Sequence, residues 1–226
     1  MMITDLRKKS VSLLLALAVF FAFSLAMTTE ANAASSGKKT ATTYSEVIKK
    51  GNTVYCASMT GIYKAKLKNK KVVSVKRLRK GFLGEVPRNM KIKGKYLYYT
   101  CAYPVGEYMG RINLKTGKDQ DVFVPGKGRF KNSMSVSVLA YAFKGSKLYA
   151  KIEYDNEDTG NTYTKTFISK LNGKSSKKTK VKVSTKRKVT NAKGYKIVEK
   201  DTDDFMVKAY LKTPKGKYYL GKSSNF

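Results

Sequence analysis

The chain predicts an all-β fold, propeller-like, with four blades of four antiparallel strands that form a closed small ring or an open arc. Three observations carry this reading. A short phrase, Lys-Gly-x-x-aliphatic-Tyr or its near copy, occurs four times: Lys50-Gly51-Asn52-Thr53-Val54-Tyr55, Lys93-Gly94-Lys95-Tyr96-Leu97-Tyr98, Lys144-Gly145-Ser146-Lys147-Leu148-Tyr149 and Lys193-Gly194-Tyr195-Lys196-Ile197-Val198. Its glycines fall 43, 51 and 49 residues apart, which is the period of four-stranded propeller blades. A second landmark, a Leu followed by a polar turn, closes each third strand at Leu67, Leu114, Leu171 and Leu211. Each phrase reads as a tight turn running into a strand: Gly accepts positive φ, and β-branched or aromatic residues suit a pleated surface.

Residues 1–33 read as a signal peptide. Arg7, Lys8 and Lys9 give a positive start, Val11 to Met27 is almost wholly apolar, and Ala31-Asn32-Ala33 supplies a small-x-small cleavage site, so cleavage is expected after Ala33. An uncleaved anchor is the alternative, with an apolar run at the lower limit for a span. Once the leader is removed no membrane span is expected, and the protein is read as secreted or extracellular, free or wall-associated. Residues 34–43 form a polar linker, and 44–226 the repeat domain.

The alternation of apolar with Lys or Thr residues divides the domain into strands. The first repeat gives 46–49, 53–57, 61–67 and 72–78. The second gives 89–93, 96–102, 108–114 and 119–124. The third gives 135–143, 147–154, 162–171 and 179–185. The fourth gives 189–192, 195–200, 205–211 and 217–221. The distance from glycine to closing Leu varies, at 16, 20, 26 and 17 residues, because the hairpin between second and third strands varies in length.

With the phrase, the short hairpin, and then Ile62-Tyr63-Lys64-Ala65-Lys66-Leu67 or Gly110-Arg111-Ile112-Asn113-Leu114-Lys115-Thr116-Gly117, the chain resembles exported bacterial propeller proteins with YWTD-like and TolB-like repeats, many of them domains of unknown function. The resemblance covers residues 44–221 and implies a fold rather than an activity. This chain departs from it in having four repeats where such proteins more often have six or more. A ring of four, an open arc, or a dimer that completes a ring are all compatible with that count.

Charge is the strongest functional signal. There are 47 basic against 15 acidic residues and no His, for a net charge of +32. Removing three basic and two acidic leader residues leaves +31. Lys outnumbers Arg by 40 to 7. Such a surface attracts anions, and for an exported protein these include envelope polymers; a solvated coat that keeps the protein soluble accounts for the same composition. The expected function is that of an exported, non-catalytic binding protein engaging an anionic cell-envelope polymer, with a protein–protein interaction propeller as the alternative. Sixteen Tyr among many Lys also meet the crude recipe for stacking on single-stranded nucleic acid. Scarce Arg argues against specific recognition of that kind.

An enzyme is not expected, because the absence of His removes Ser–His and Cys–His pairs and imidazole metal sites. Glu153 with Asp203 is the one carboxylate pair considered for acid–base work. The binding rim is placed at the hairpins after the second strands, flanked by Tyr103, Tyr108, Tyr154 and Tyr163, whose rings offer apolar area with a polar tip. No cofactor is expected apart from Ca²⁺ held by Asp155, Glu157, Asp158 and Asp203. Asp155-Asn156-Glu157-Asp158-Thr159-Gly160 resembles the first half of an EF-hand loop, but Thr166 stands where the closing Glu belongs; turn formation alone explains the same residues. Cys56 and Cys101 are either a disulfide, which export permits, or two buried thiols.

Overall fold

The computed structural model describes residues 45–81, 85–103, 106–156, 159–185, 191–202 and 206–224, all within one compact unit, Ala41–Phe226. The expected leader, cleavage site and linker lie outside the described residues. The strands are β1 (Glu46–Lys50), β2 (Thr53–Ser58), β3 (Gly61–Lys68), β4 (Lys71–Lys80), β5 (Val86–Lys93), β6 (Tyr96–Tyr103), β7 (Gly106–Asn113), β8 (Asp119–Phe123), β9 (Val136–Lys144), β10 (Lys147–Asn156), β11 (Asn161–Lys170), β12 (Lys177–Thr179), β13 (Lys196–Thr202), β14 (Met206–Thr213) and β15 (Gly216–Ser224). A short 3-10 turn, Gly128–Phe130, lies between β8 and β9 and carries the buried Phe130.

The all-β reading holds, and the phrase turns lie where expected, with Gly51, Gly94, Gly145 and Gly194 all at positive φ. The sheets differ from four separate blades of four. The first repeat is a four-stranded sheet, β1-β2-β3-β4. The second and third meanders merge into one eight-stranded sheet. The merger is made by β7, whose one edge serves two partners. Met109–Ile112 pairs antiparallel with β8, and Gly106 and Glu107 pair in parallel with Val136 and Ser137 of β9. Gly106 makes this possible: at φ +148 a Cβ would lie 2.6 Å from the Val136 carbonyl oxygen.

The fourth repeat is a three-stranded sheet, β13-β14-β15. Its expected first strand is absent at 191–192, and 189–190 lie outside the described residues. Instead this segment borders β1: the Ala192 N–H donates to the Val47 carbonyl at 2.8 Å, and the Val47 N–H donates to Asn191 Oδ1 at 2.9 Å. The expected strand at 179–185 also stops early, at Thr179. Its alternation is regular, but Val181 is 47% exposed, and an alternating pattern with no surface to pack on gains nothing from pairing.

Side chains alternate across each strand, so every repeat has a leading face, carrying the aliphatic residue of the phrase, and a trailing face, carrying the residue after it, Tyr in the first three repeats and Val198 in the fourth. The trailing face of the first sheet (Tyr55, Ala57, Ile62) packs on the leading face of the second meander (Leu97, Tyr99, Cys101, Ile112). The trailing face of the second (Tyr98, Met109, Phe123) packs on the leading face of the third (Leu148, Ala150, Ile152, Phe167). The fourth sheet breaks the series. Its leading face (Ile197, Ala209, Leu211, Leu220) meets the leading face of the first sheet (Val54, Cys56, Tyr63, Ala65, Leu67). Each large side chain so buried is worth about 1.5–3 kcal/mol.

Candidate functional site

The residues expected at the hairpin rim fall into three groups. Tyr108 points inward: its hydroxyl donates to Glu85 Oε1 at 2.6 Å and accepts from Arg79 Nη2 at 2.6 Å. Tyr154 packs on Phe130, with ring centroids 5.2 Å apart, and on Tyr163 at 5.8 Å. Tyr163 lies over it at the mouth of the third hairpin, opposite Tyr154 in the β10–β11 register. Tyr103 ends β6 opposite Gly106; its side chain lies outside the described residues. The structure therefore brings Tyr154 and Tyr163 together and commits Tyr108 to an interior network.

Of the acids proposed to hold a cation, Glu157, Asp158 and Asp203 lie outside the described residues. Asp155 is occupied in shaping the chain: Oδ1 accepts the Ser135 N–H at 2.9 Å, and its carbonyl accepts the Ser133 hydroxyl at 2.7 Å. Glu153 lies on β10, where its carboxylate accepts weakly from Thr164 Oγ1 at 3.4 Å. Among the described residues no group of three or more Cys, Asp or Glu is placed to hold a metal ion.

Cys56 and Cys101 are free and buried, which corrects the disulfide alternative. The two occupy equivalent leading faces, and that is why they cannot meet. In serial stacking, Cys56 points away from the second meander into the cluster shared with the fourth sheet, whereas Cys101 points into the cluster between the first sheet and the second meander. The first sheet stands between them. Burial pushes the Cys101 thiol up to about 12 and pushes Cys56 higher still, so neither is a ready nucleophile.

An ionic network, enclosed at Arg79 and Glu85 and open to solvent at Asp119, sits beside the junction of the first sheet and the second meander. Arg79 is at its centre. Its Nη2 lies 2.7 Å from Glu85 Oε2, and its Nε lies 3.1 Å from Asp119 Oδ2. Tyr99 donates to both Asp119 oxygens at 2.8 Å. Burial raises the Asp119 carboxyl above its ordinary value, against the pull of the Tyr99 hydrogen bond and Arg79. Nearby, Arg88 grips Glu107 through two nitrogens at 3.1 and 2.6 Å, and Thr100 donates to the same carboxylate at 2.5 Å. Glu46 accepts the Asn89 and Met90 N–H groups at 2.7 and 2.6 Å. Every carboxylate here is matched to a donor within the fold; the Arg79 and Glu46 contacts cross between the two sheets, whereas the Arg88–Glu107–Thr100 group ties β5, β6 and β7 of the second meander together.

Apart from Tyr108, expected at the rim rather than here, none of these residues was singled out from the sequence, yet one signal was there. In a chain that covers its surface with Lys, the rare Arg marks a structural contact, because its planar fork holds its donors in a fixed geometry that the freely rotating ammonium lacks. Arg79 and Arg88 each set that fork on two acceptor atoms; Arg129 closes the same fork on a single acceptor, donating twice to the Ser176 carbonyl at 3.0 and 2.7 Å.

The inward turn of these acids leaves an outer surface dominated by Lys. An open groove of about 570 Å³ is lined by Lys49, Lys70, Lys193 and Tyr195 where the first and fourth phrases meet. A second, of about 580 Å³, is lined by Arg129, Lys131 and Lys174.

No protein-family model and no curated protein matches the chain. Among solved structures it is similar to a GH43 endo-arabinanase from Bacillus licheniformis, with 10% sequence identity, a TM-score of 0.25, and coverage of 79% of this chain and 92% of that one. The matched chain is an enzyme, and this corrects the expectation that the present chain is not one. At that identity and TM-score the likeness assigns no activity either. Among the described residues no helix is long and apolar enough to cross a membrane.

Proposed function

We propose that this is an exported protein whose Lys-rich surface engages an anionic polymer of the cell envelope, built on four blade-like repeats that stack without closing a ring. The observation that supports it is the segregation of charge. Glu46, Glu85 and Glu107 are buried. The Glu199 carboxylate accepts the Met59 N–H at 2.8 Å between the first and fourth sheets. Asp119 is held by Arg79 and Tyr99. The lysines stay outside, so the outward field is more positive than composition alone implies, and a polyanion meets few carboxylates that would repel it.

The test is retention of the exported chain on purified anionic envelope polymer across a salt series, with DNA and a neutral glycan as controls. Retention beyond that on equally charged DNA, lost as salt rises, supports the proposal. Equal retention on every anion overturns it and turns the search toward a protein partner.

A further inference from the structure

Resting on that reading, we infer that the trailing face of the C-terminal sheet is the polymer-binding platform and that its ligand is a carboxylate-bearing polysaccharide. The register sets out a grid of three rows across β13, β14 and β15. Lys196 pairs with Lys212, and Lys212 with Lys217; Val198 pairs with Tyr210, and Tyr210 with Tyr219; Lys200 pairs with Lys208, and Lys208 with Lys222. The bulge between Ala209 and Tyr210 returns Lys222 to the same face as Tyr219. The result is an apolar stripe flanked on both sides by a row of three lysines.

Like charges directly opposite one another in a sheet are destabilising, and this face places them so in both flanking rows. Lys196, Lys200, Lys208, Lys212 and Lys222 make no ion pair among the described residues. The opposite face of the same sheet is ordinary core, so the arrangement is not imposed by folding. An anionic ligand laid across the three strands would relieve both rows at once.

The middle row selects the kind of anion. Tyr219 is 50% exposed, and its ring meets Tyr210 edge-on, with centroids 5.6 Å apart at 61°. Lys217 Nζ stands 4.1 Å from the centre of the Tyr210 ring. A ring capped by an ammonium and tilted against its neighbour is a poor platform for successive flat bases, which need open parallel faces. It suits the C–H faces of pyranose rings, with their hydroxyls meeting phenol tips and ammonium groups. A polysaccharide whose successive rings turn over sends carboxylates to both flanks, where the two Lys rows stand. A polyol phosphate chain has charge but no ring face to offer the stripe.

The experiment uses the full-length chain from an exporting host, immobilised polygalacturonate as the probe, and DNA and poly(glycerol phosphate) as comparison arms. One variant carries Lys196→Gln, Lys208→Gln, Lys212→Gln and Lys222→Gln. A charge-matched control carries Lys68→Gln, Lys71→Gln, Lys76→Gln and Lys80→Gln on the first sheet. The face variant is expected to lose about tenfold or more in affinity for polygalacturonate, and the control to stay within about twofold. Tyr219→Thr keeps a strand-forming residue and is expected to weaken polygalacturonate by about fivefold while leaving DNA retention unchanged. The melting midpoint of the face variant should be no lower than that of the wild type, because the mutation removes repulsion.

Equal losses in the face variant and the control overturn the platform and leave the polymer reading standing. Wild-type preference for poly(glycerol phosphate) overturns the carboxylated ligand, and a larger loss on DNA than on polygalacturonate in the face variant makes nucleic acid the occupant. Wild-type retention that does not distinguish the three anions overturns the polymer reading and this proposal with it.

Discussion

The first sheet has two junctions, and they are built differently. Toward the second meander it presents Tyr55, Ala57 and Ile62, with an ionic fringe in which Arg79 reaches Glu85 and Asp119 and Glu46 accepts the Asn89 and Met90 N–H groups. Toward the fourth sheet it presents Val54, Cys56, Tyr63, Ala65 and Leu67 to a facing apolar cluster, with the Glu199 carboxylate on the Met59 N–H as the charged contact at its edge. The polar junction joins leading to trailing face, the direction in which identical repeats propagate. The apolar junction joins two leading faces and ends the propagation. Apolar contact is non-directional, so it accepts either face; a network of forked hydrogen bonds accepts only one geometry. The inference is that the Arg79 network sets the order and direction of stacking, and the apolar cluster holds on the last sheet.

The largest effect should come from breaking the polar junction. Arg79→Met leaves the buried Glu85 without its counter-charge, which typically costs about 3–5 kcal/mol; Asp119, 35% exposed at its side chain, adds little because water screens it. Urea unfolding monitored by circular dichroism measures it. Adding Glu85→Gln and Asp119→Asn to that variant should recover part of the loss, since the cost lies in stranded charges rather than in missing packing. A triple variant no more stable than Arg79→Met would mean that the network contributes packing alone.

The apolar junction gives a loss of similar kind but different reach. Leu211 is fully buried, and Leu211→Ala should cost about 2–5 kcal/mol. Because the contact joins only the first and fourth sheets, amide exchange should accelerate in β13–β15 while β10 and β11 keep their protection below the global unfolding limit. Uniform acceleration through all the sheets would show that the two junctions unfold as one unit, and the contrast drawn between them would fail.

A third test concerns the cysteines, one on each side of the first sheet. With both thiols buried and their ionisation pushed up, the native protein should show no rapid reaction with a thiol reagent at about pH 8. The chain unfolded in denaturant without reductant should titrate both. A disulfide would leave the unfolded chain silent as well.

Much of this architecture was legible in the repeated phrase. The glycines placed four turns correctly, and period-two alternation placed most strands within a few residues, because local turn chemistry and side-chain alternation are local properties. The sheet boundaries were not legible. That β7 would serve both β8 and β9 depends on Gly106 approaching Val136, a contact 30 residues apart in sequence, and no periodicity encodes it. The turned-over fourth sheet was hidden for a related reason: Ile197 repeats Val54 in the phrase, and a repeat states which side is apolar but not which neighbour will cover it. The site was partly legible in the opposite sense. Tyr and Asp at hairpin tips drew attention, while the Tyr210–Tyr219 row looked like ordinary strand alternation until the register set it between lysines.

The smallest expected effect isolates one carboxylate at the polar junction. Glu46 is raised above the ordinary carboxylate value, chiefly by burial, against the Met90 and Asn89 hydrogen bonds and the charges of Arg88 and Lys91. A folded-state value above the unfolded one means that the native protein holds this proton more tightly. The contribution of Glu46 to stability is therefore greatest in acid and declines as pH rises through the unfolded value toward the raised one. Glu46→Gln does not titrate there, so the wild type minus variant difference in unfolding free energy should fall between about pH 3 and about pH 7. A difference that grows with pH would mean that the two backbone donors outweigh desolvation. The polar junction would then be strengthened by its charges rather than merely oriented by them, and the distinction between the two faces of the first sheet would have to be redrawn in energetic terms.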